Sequence, residues 1–406
     1  MGPRFRQTRA TRVKVASPFW QINPEIAFLN HGSFGSCPQP ILKFQQELRG
    51  RLEHQPVDFL VRELEPMLDA ARSELAGFIG ANADDLVFVA NATTGVNTVL
   101  RSLQFNSGDE ILVTNHGYNA CRNAVNFIAQ RSGAHVIIAK IPFPIVDSDL
   151  VIEQILQAAT SRTRLAFIDH VTSQTGLIFP IGKIVAELSR RGIDVLVDGA
   201  HAPGMLPLDV NAIGAAYYTG NCHKWICAPK GAGFLHVRPD RQSLIRPLVI
   251  SHGANSPRSD RSLFQGEFGW TGTSDPTAFL CVPEALRIVG SQLPGGWTEI
   301  MQHNHALALA ARKMICDELG IPLPCPDEMI GALASMPVPD ASGSPPQSPF
   351  YLDPLQERLL NEHRIEVPFI PWPAWPKRLL RISAQLYNSL PQYKTTAMAL
   401  KEIWRE

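Results

Sequence analysis

The chain has 406 residues, 45% of them hydrophobic, which suits a large core and, at this length, two domains. Lys plus Arg and Asp plus Glu number 37 each, so no global field favours a nucleic acid or an anionic membrane. No apolar run is long enough to span a bilayer, and seven scattered cysteines without a CxxC pair read as reduced thiols of a cytoplasmic protein.

Residues 1–24 hold no acidic residue and are basic through "MGPRFRQTRATRVK". With no apolar signal core and no myristoylation Ser/Thr, they read as a frayed, partly disordered arm, with a transit or binding segment as the alternative. Residues 40–75 are helical and amphipathic. Seven β-rich runs follow: "LVFVA" (86–90), "ILVT" (111–114), "HVIIAK" (135–140), "LAFID" (165–169), "DVLVD" (194–198), "AAYYT" (215–219) and "AGFLHV" (232–237). Helical patterns such as "TGVNTVLRSL", "NAVNFIAQRSG" and "IGKIVAELSRRG" lie between them, the last ending on a basic pair and Gly192. This alternation predicts an α/β fold, a mostly parallel seven-stranded sheet with helices on both faces. After about residue 285 come a helix in "HALALAARKMICDELG", the loop "DASGSPPQSP" and a helix near 353–363. "VPFIPWPAWP" is too proline-rich for a central strand and reads as an irregular wall. The expected division is a large domain over 25–285 and a small α+β domain over 286–406, with 25–50 free to pack on the small one.

Ligands of such sheets gather at the carboxyl ends of the strands. Asp198 closes "DVLVD", Lys224 follows the next run, and "NATTG" (91–95) follows the first run and opens a helix. Taken singly, these are a strand-end carboxylate, a loop lysine and an ordinary N-cap. Taken together they suit one ligand, pyridoxal 5′-phosphate. Its aldehyde needs an amine, its ring nitrogen a carboxylate, and its phosphate the N–H groups and hydroxyls of a helix start, here with Thr93 and Thr94.

"VDGAHAPG" followed by "GNCHKW" resembles the pyridoxal-phosphate enzymes of the class V aminotransferase group. "FLNHGSFGSCP", "NATTGVN" and "LRISAQLYN" are similar to its isopenicillin N epimerase branch. The resemblance runs from about Phe28 to about Asn388 and implies the fold type I architecture of these enzymes. It implies Lys224 as the Schiff-base lysine and proton shuttle, Asp198 as the ring-nitrogen partner and His201 beside the phenolic oxygen. Tyr118 takes the stacking position, Asn221 and His223 phosphate positions, and Ser173 a ring contact. Thr273, in "GWTGTSD", would reach the phosphate of a neighbouring subunit, implying a homodimer. Arg381 would hold the substrate carboxylate, with Asn30, His31 and Gly32 lining the substrate site. No metal is implied. The reaction class stays between an epimerase (the preferred reading), an aminotransferase and a C–S lyase or desulfurase, all acting at Cα of an amino acid. A desulfurase needs a loop thiol, and the stretch before "LRIS" has none; Cys325 reads as packed. A catalytically silent protein of the same fold is the reading from another class.

Overall fold

The structure, a computed structural model, describes residues 19–348 and 352–405, so most of the basic arm lies outside the described residues. The chain enters at β1 (Ala27–Phe28), which pairs in parallel with β10 (Ile365–Glu366). Thus the N-terminal segment is tied to the C-terminal part of the chain from the start. Helices α1 (Gln39–His54) and α2 (Leu64–Ile79) follow, joined through a wider turn over Asp58–Glu63.

All seven expected runs form strands of one sheet. They are β2 (Leu86–Val89), β3 (Glu110–Thr114), β4 (His135–Ala139), β5 (Thr163–Asp169), β6 (Asp194–Gly199), β7 (Tyr217–Asn221) and β8 (Gly233–Val237). Their order is β2-β8-β7-β6-β5-β3-β4, and only β8 runs against its neighbours. The runs are almost continuously apolar because both faces are covered. On one face Ile111, Val113, Phe167 and Leu196 pack under α3 (Ala92–Ser102) and α4 (Asn119–Ser132). On the other, Leu112, Ile168 and Val197 share a core with α5 (Asp149–Ala158) and α6 (Ile181–Arg190). The sixth run, "AAYYT", starts two residues later than expected. Ala215 and Ala216 still belong to the turn that Gly214 makes at φ +70°.

Beyond the helix Gly296–Leu319, β9 (Leu333–Val338), β11 (Phe369–Pro371) and β12 (Arg378–Ser383) form an antiparallel sheet with β12 in the centre. The proline-rich stretch therefore differs from the expected irregular wall. Its Phe369–Pro371 part is a strand, and it sits at an edge, where a proline costs no ladder bond. Among the described residues no helix is long and apolar enough to cross a membrane.

Candidate active site

Parallel strands end on one side of the sheet, and β5 and β6 end there in register: Asp169 is paired with Asp198, which is paired in turn with Thr219 of β7. Helix α3 starts at the same edge. Asn91 caps it, its Oδ1 accepting from the Thr94 N–H at 2.8 Å and the Thr94 hydroxyl at 3.1 Å. Asn221 Oδ1 accepts the Ala92 N–H at 2.8 Å. So Asn221 supports the helix start that the sequence offered for a phosphate, with its own oxygen already taken. Gly95 faces the sheet instead of a ligand. A Cβ there would stand 2.1 Å from Thr219 Oγ1, so the glycine lets α3 lie on β7. A cleft of about 440 Å³ reaches Thr94 and the loop around Gly272.

Lys224 leaves β7 three residues after its end, in a turn closed from two sides. The Cys227 N–H and His31 Nε2 each lie 3.1 Å from the Lys224 carbonyl oxygen. Cys227 ends the turn at φ +63°, a left-handed conformation that a non-glycine residue holds only under constraint. Gly204 sits at φ +83°, and a Cβ on it would come within 2.6 Å of the Trp225 carbonyl carbon. The turn that carries His201 can therefore lie directly on the lysine turn.

Lys224 Nζ lies 2.9 Å from His201 Nε2, and Trp225 Nε1–H donates to His201 Nδ1 at 3.4 Å. Burial holds His201 well below its ordinary value, so the ring is neutral. With Nδ1 accepting, Nε2 carries the proton and can donate to Lys224 Nζ whenever that amine is unprotonated. Burial brings the amine down to about 8; Asp198 opposes that fall and Arg381 adds to it.

Asp198 is buried, its Oδ1 accepting the Ala200 N–H at 3.0 Å and its Oδ2 the Cys121 thiol at 3.4 Å. Burial raises its carboxyl, while the Ala200 N–H and Lys224 pull it back. Tyr118 stands at the start of α4, half-exposed, its phenol raised by burial and by Cys121 and Asp198, and lowered by Arg381.

Arg381 on β12 is buried, with Nη1 donating to the Ser173 carbonyl at 2.6 Å and Nη2 to Ser33 Oγ. Its Nε has no partner, and among the described residues no carboxylate acts on it. Burial lowers it to about 10, with Tyr118 opposing the fall. A buried cation without a counter-ion is costly, and a planar carboxylate is the group whose geometry balances a guanidinium.

Ser173 thus serves Arg381 through its backbone. His223 Nδ1 donates to the Ala232 carbonyl at 2.8 Å, and burial lowers the ring to about 4, which leaves it neutral. Thr273 is exposed on the loop before Pro276. The segment assigned to substrate lies behind the lysine instead. His31 is fully buried, with Nδ1 accepting from Tyr387 Oη at 2.7 Å, and Asn30 bonds Glu366. Gly32 N–H donates to Ser383 Oγ at 3.0 Å. Ser33, one residue on, is the member of this segment that reaches the candidate carboxylate site. Sequence reasoning missed Ser33, Cys121 and Asp169. The last was signalled by "LAFID", which ends as "DVLVD" does.

Residues 41–332 match the sequence model of the aminotransferase class-V family. The chain is 34% identical to an isopenicillin N epimerase of Amycolatopsis lactamdurans, over 94% of this chain and 96% of that protein. It is 33% identical to a probable chloroplastic L-cysteine desulfhydrase of Arabidopsis thaliana, over 97% of this chain and 86% of the relative. In architecture it is similar to the cystine C–S lyase C-DES, solved with its product cysteine persulfide. The TM-score is 0.74 at 23% identity, covering 92% of this chain and 97% of the other.

Proposed function

This chain belongs to the aminotransferase class-V family, and from that premise we propose a pyridoxal-phosphate enzyme in which Lys224 takes the α-proton of an amino acid held by Arg381. The residues fit that cofactor. A buried carboxylate at the sheet edge suits the ring nitrogen, an amine at about 8 suits the aldehyde, and the Asn91-capped start of α3 suits the phosphate. When bound, pyridoxal phosphate supplies an electron sink that acidifies the C–H at Cα. The chain supplies the rest. Asp198 holds the ring nitrogen protonated, Arg381 fixes the substrate carboxylate, and His201 orients Lys224 Nζ for the proton. The carrying observation is the buried, unpaired Arg381 in the same site as a lysine with a lowered amine.

The outcome we assign is β-elimination from a cysteine-type amino acid. Lys224 takes the Cα proton, the Cβ–S bond breaks, and sulfide leaves with the electron pair. Water then releases the carbon product as pyruvate and ammonia. One base suffices for this. All seven cysteines are buried, and Cys325 has its thiol raised to about 11 and its sulfur against Arg312, so no exposed thiol serves as a desulfurase nucleophile. Epimerisation is the second reading, favoured by Tyr118. That reaction needs an acid opposite Lys224; His201 stands beside Nζ, so the raised Tyr118 phenol is the candidate for the role. A homodimer completes the proposal, supported by the exposed Thr273 loop and the exposed Leu248, Val249 and Ile250; sedimentation at twice the chain mass is the expected result.

The test is incubation of cofactor-loaded protein in heavy water with L-cysteine, S-substituted cysteines and isopenicillin N. Sulfide or thiol with pyruvate is expected. Recovery of a deuterated epimer without pyruvate would move the assignment to the second reading. Lys224→Ala should abolish either outcome, and turnover equal to the parent's would end the proton-shuttle role.

A further inference from the structure

Asp198 has a neighbour that the proposed mechanism does not use. Asp169 ends β5 and Asp198 stands one residue before the end of β6, the two are register partners on adjacent parallel strands, and each is 3% exposed. Side chains of such partners leave the sheet on the same face. Here that is the face carrying α4, for Phe167 and Leu196, two residues before each, pack with α4 in one cluster. Two carboxyls so placed in a dry setting do not both ionise.

The donors decide which one keeps the proton. Asp198 receives the Ala200 N–H and the Cys121 thiol and feels the charge of Lys224. Asp169 receives one N–H from another residue, that of Tyr118, and its Oδ2 is buried without a partner. The titratable groups facing it are Asp198 from β6 and, from α4 and its first turn, Cys121 and Tyr118. No cation is among them. His116, beyond β3, turns both ring nitrogens away, to Thr175 Oγ1 and the Ile141 carbonyl. Burial and the Asp198 charge both act against a second anion at Asp169.

We propose that Asp169 is a positioning residue that carries the single proton of the Asp169–Asp198 pair. It leaves Asp198 as the lone anion for the cofactor's ring nitrogen, and it anchors the Tyr118 backbone. Asp169 acts through Asp198 and Tyr118 and touches neither substrate nor cofactor. The second role rests on the reading of Asp198 as ring-nitrogen partner; the shared proton does not.

Infrared absorption spectra of the full-length protein, taken both with and without pyridoxal phosphate, read the proton directly. A carboxylic-acid C=O stretch is expected at neutral pH, absent in Asp169→Asn and retained in Asp198→Asn. A stretch lost in Asp198→Asn and kept in Asp169→Asn would put the proton on the wrong partner. Absence of the stretch in the parent would mean two carboxylates. Either result overturns the proposal, and the parent spectrum decides even if a variant folds poorly. Cofactor affinity separates this from the functional reading. Asp198→Asn should weaken pyridoxal phosphate about 100-fold or more and Asp169→Asn less than about 10-fold. Equal losses would show that Asp169 acts as a charge and overturn its role. An unchanged affinity in Asp198→Asn would remove the role assigned to Asp198 while leaving the infrared result to stand.

Discussion

Lys224 differs from a surface lysine because its amine faces a neutral imidazole in a buried setting, not water. The consequence is a pH at which it becomes nucleophilic. An ordinary lysine, near 10.4, is about one part in a thousand free amine at pH 7.4. With the group at about 8, roughly a fifth is free there. The amine must be unprotonated to attack an aldehyde, so capture of pyridoxal phosphate by cofactor-free protein should speed up with pH and level off above about 8. Below that the rate should fall about tenfold per pH unit. Stopped-flow absorbance of the forming imine measures this, and a midpoint near 10 would mean the site does not tune the lysine. At this scale the sequence was legible where a residue type has one chemistry to offer. Lys224, Asp198, His201 and Arg381 converge on one site. It did not show which residues also serve the backbone: Asn221 holds α3, Ser173 holds Arg381, and His31 braces the lysine turn. Those roles depend on which atom faces which neighbour, and spacing along the chain does not encode that.

The strands were legible because a strand buried on both faces must be apolar at nearly every position, and such runs stand out from amphipathic helices. β11 was harder to see. Its prolines argue against a central strand, and only the sheet order reveals that it lies at an edge. The seat of α3 on β7 was hidden altogether, since nothing in "NATTG" marks Gly95 as a packing position. Gly95→Ala tests the packing role. A helix interior favours Ala over Gly by about 1 kcal/mol. Against that, the new methyl would stand 2.1 Å from Thr219 Oγ1 and 2.8 Å from its Cβ. Thr219 cannot turn away cheaply, being fully buried with its hydroxyl donated to the Phe234 carbonyl at 2.7 Å. Overpacking costs about 1–3 kcal/mol, so a net loss of stability is expected, together with weaker phosphate binding as the start of α3 is pushed off the sheet. Urea unfolding and pyridoxal-phosphate titration measure the two effects. A more stable variant with unchanged affinity would mean the helix–strand contact is looser than described.

Folding the whole chain lowers six imidazoles in a way that sets its response to acid. Burial brings His31, His116, His170, His223 and His236 to about 4 each and holds His201 well below its ordinary value, and they lie in different parts of the molecule, from the lysine turn to β8. In the unfolded chain each takes a proton near 6.5, and in the folded chain only well below that. Between those values the unfolded state holds more protons, so stability rises with pH, by up to about 1.4 kcal/mol per unit for each histidine. Asp169 and Asp198 act with the opposite sign: raised in the fold, they make stability fall as pH climbs above the ordinary value of 3.8. Six groups outweigh two over this window. The urea midpoint should therefore climb steeply from pH 4.5 to 6.5 and flatten above it. His236 offers a way to isolate one share. Neither of its ring nitrogens has a partner, so His236→Phe removes a titrating group without breaking a hydrogen bond. Its stability should exceed the parent's at pH 4.5 by more than at pH 7, with a slope reduced by roughly a sixth, one histidine of six. A parent midpoint that is flat or falling over the same range would mean that the histidines protonate in the folded state, and that their burial does not hold.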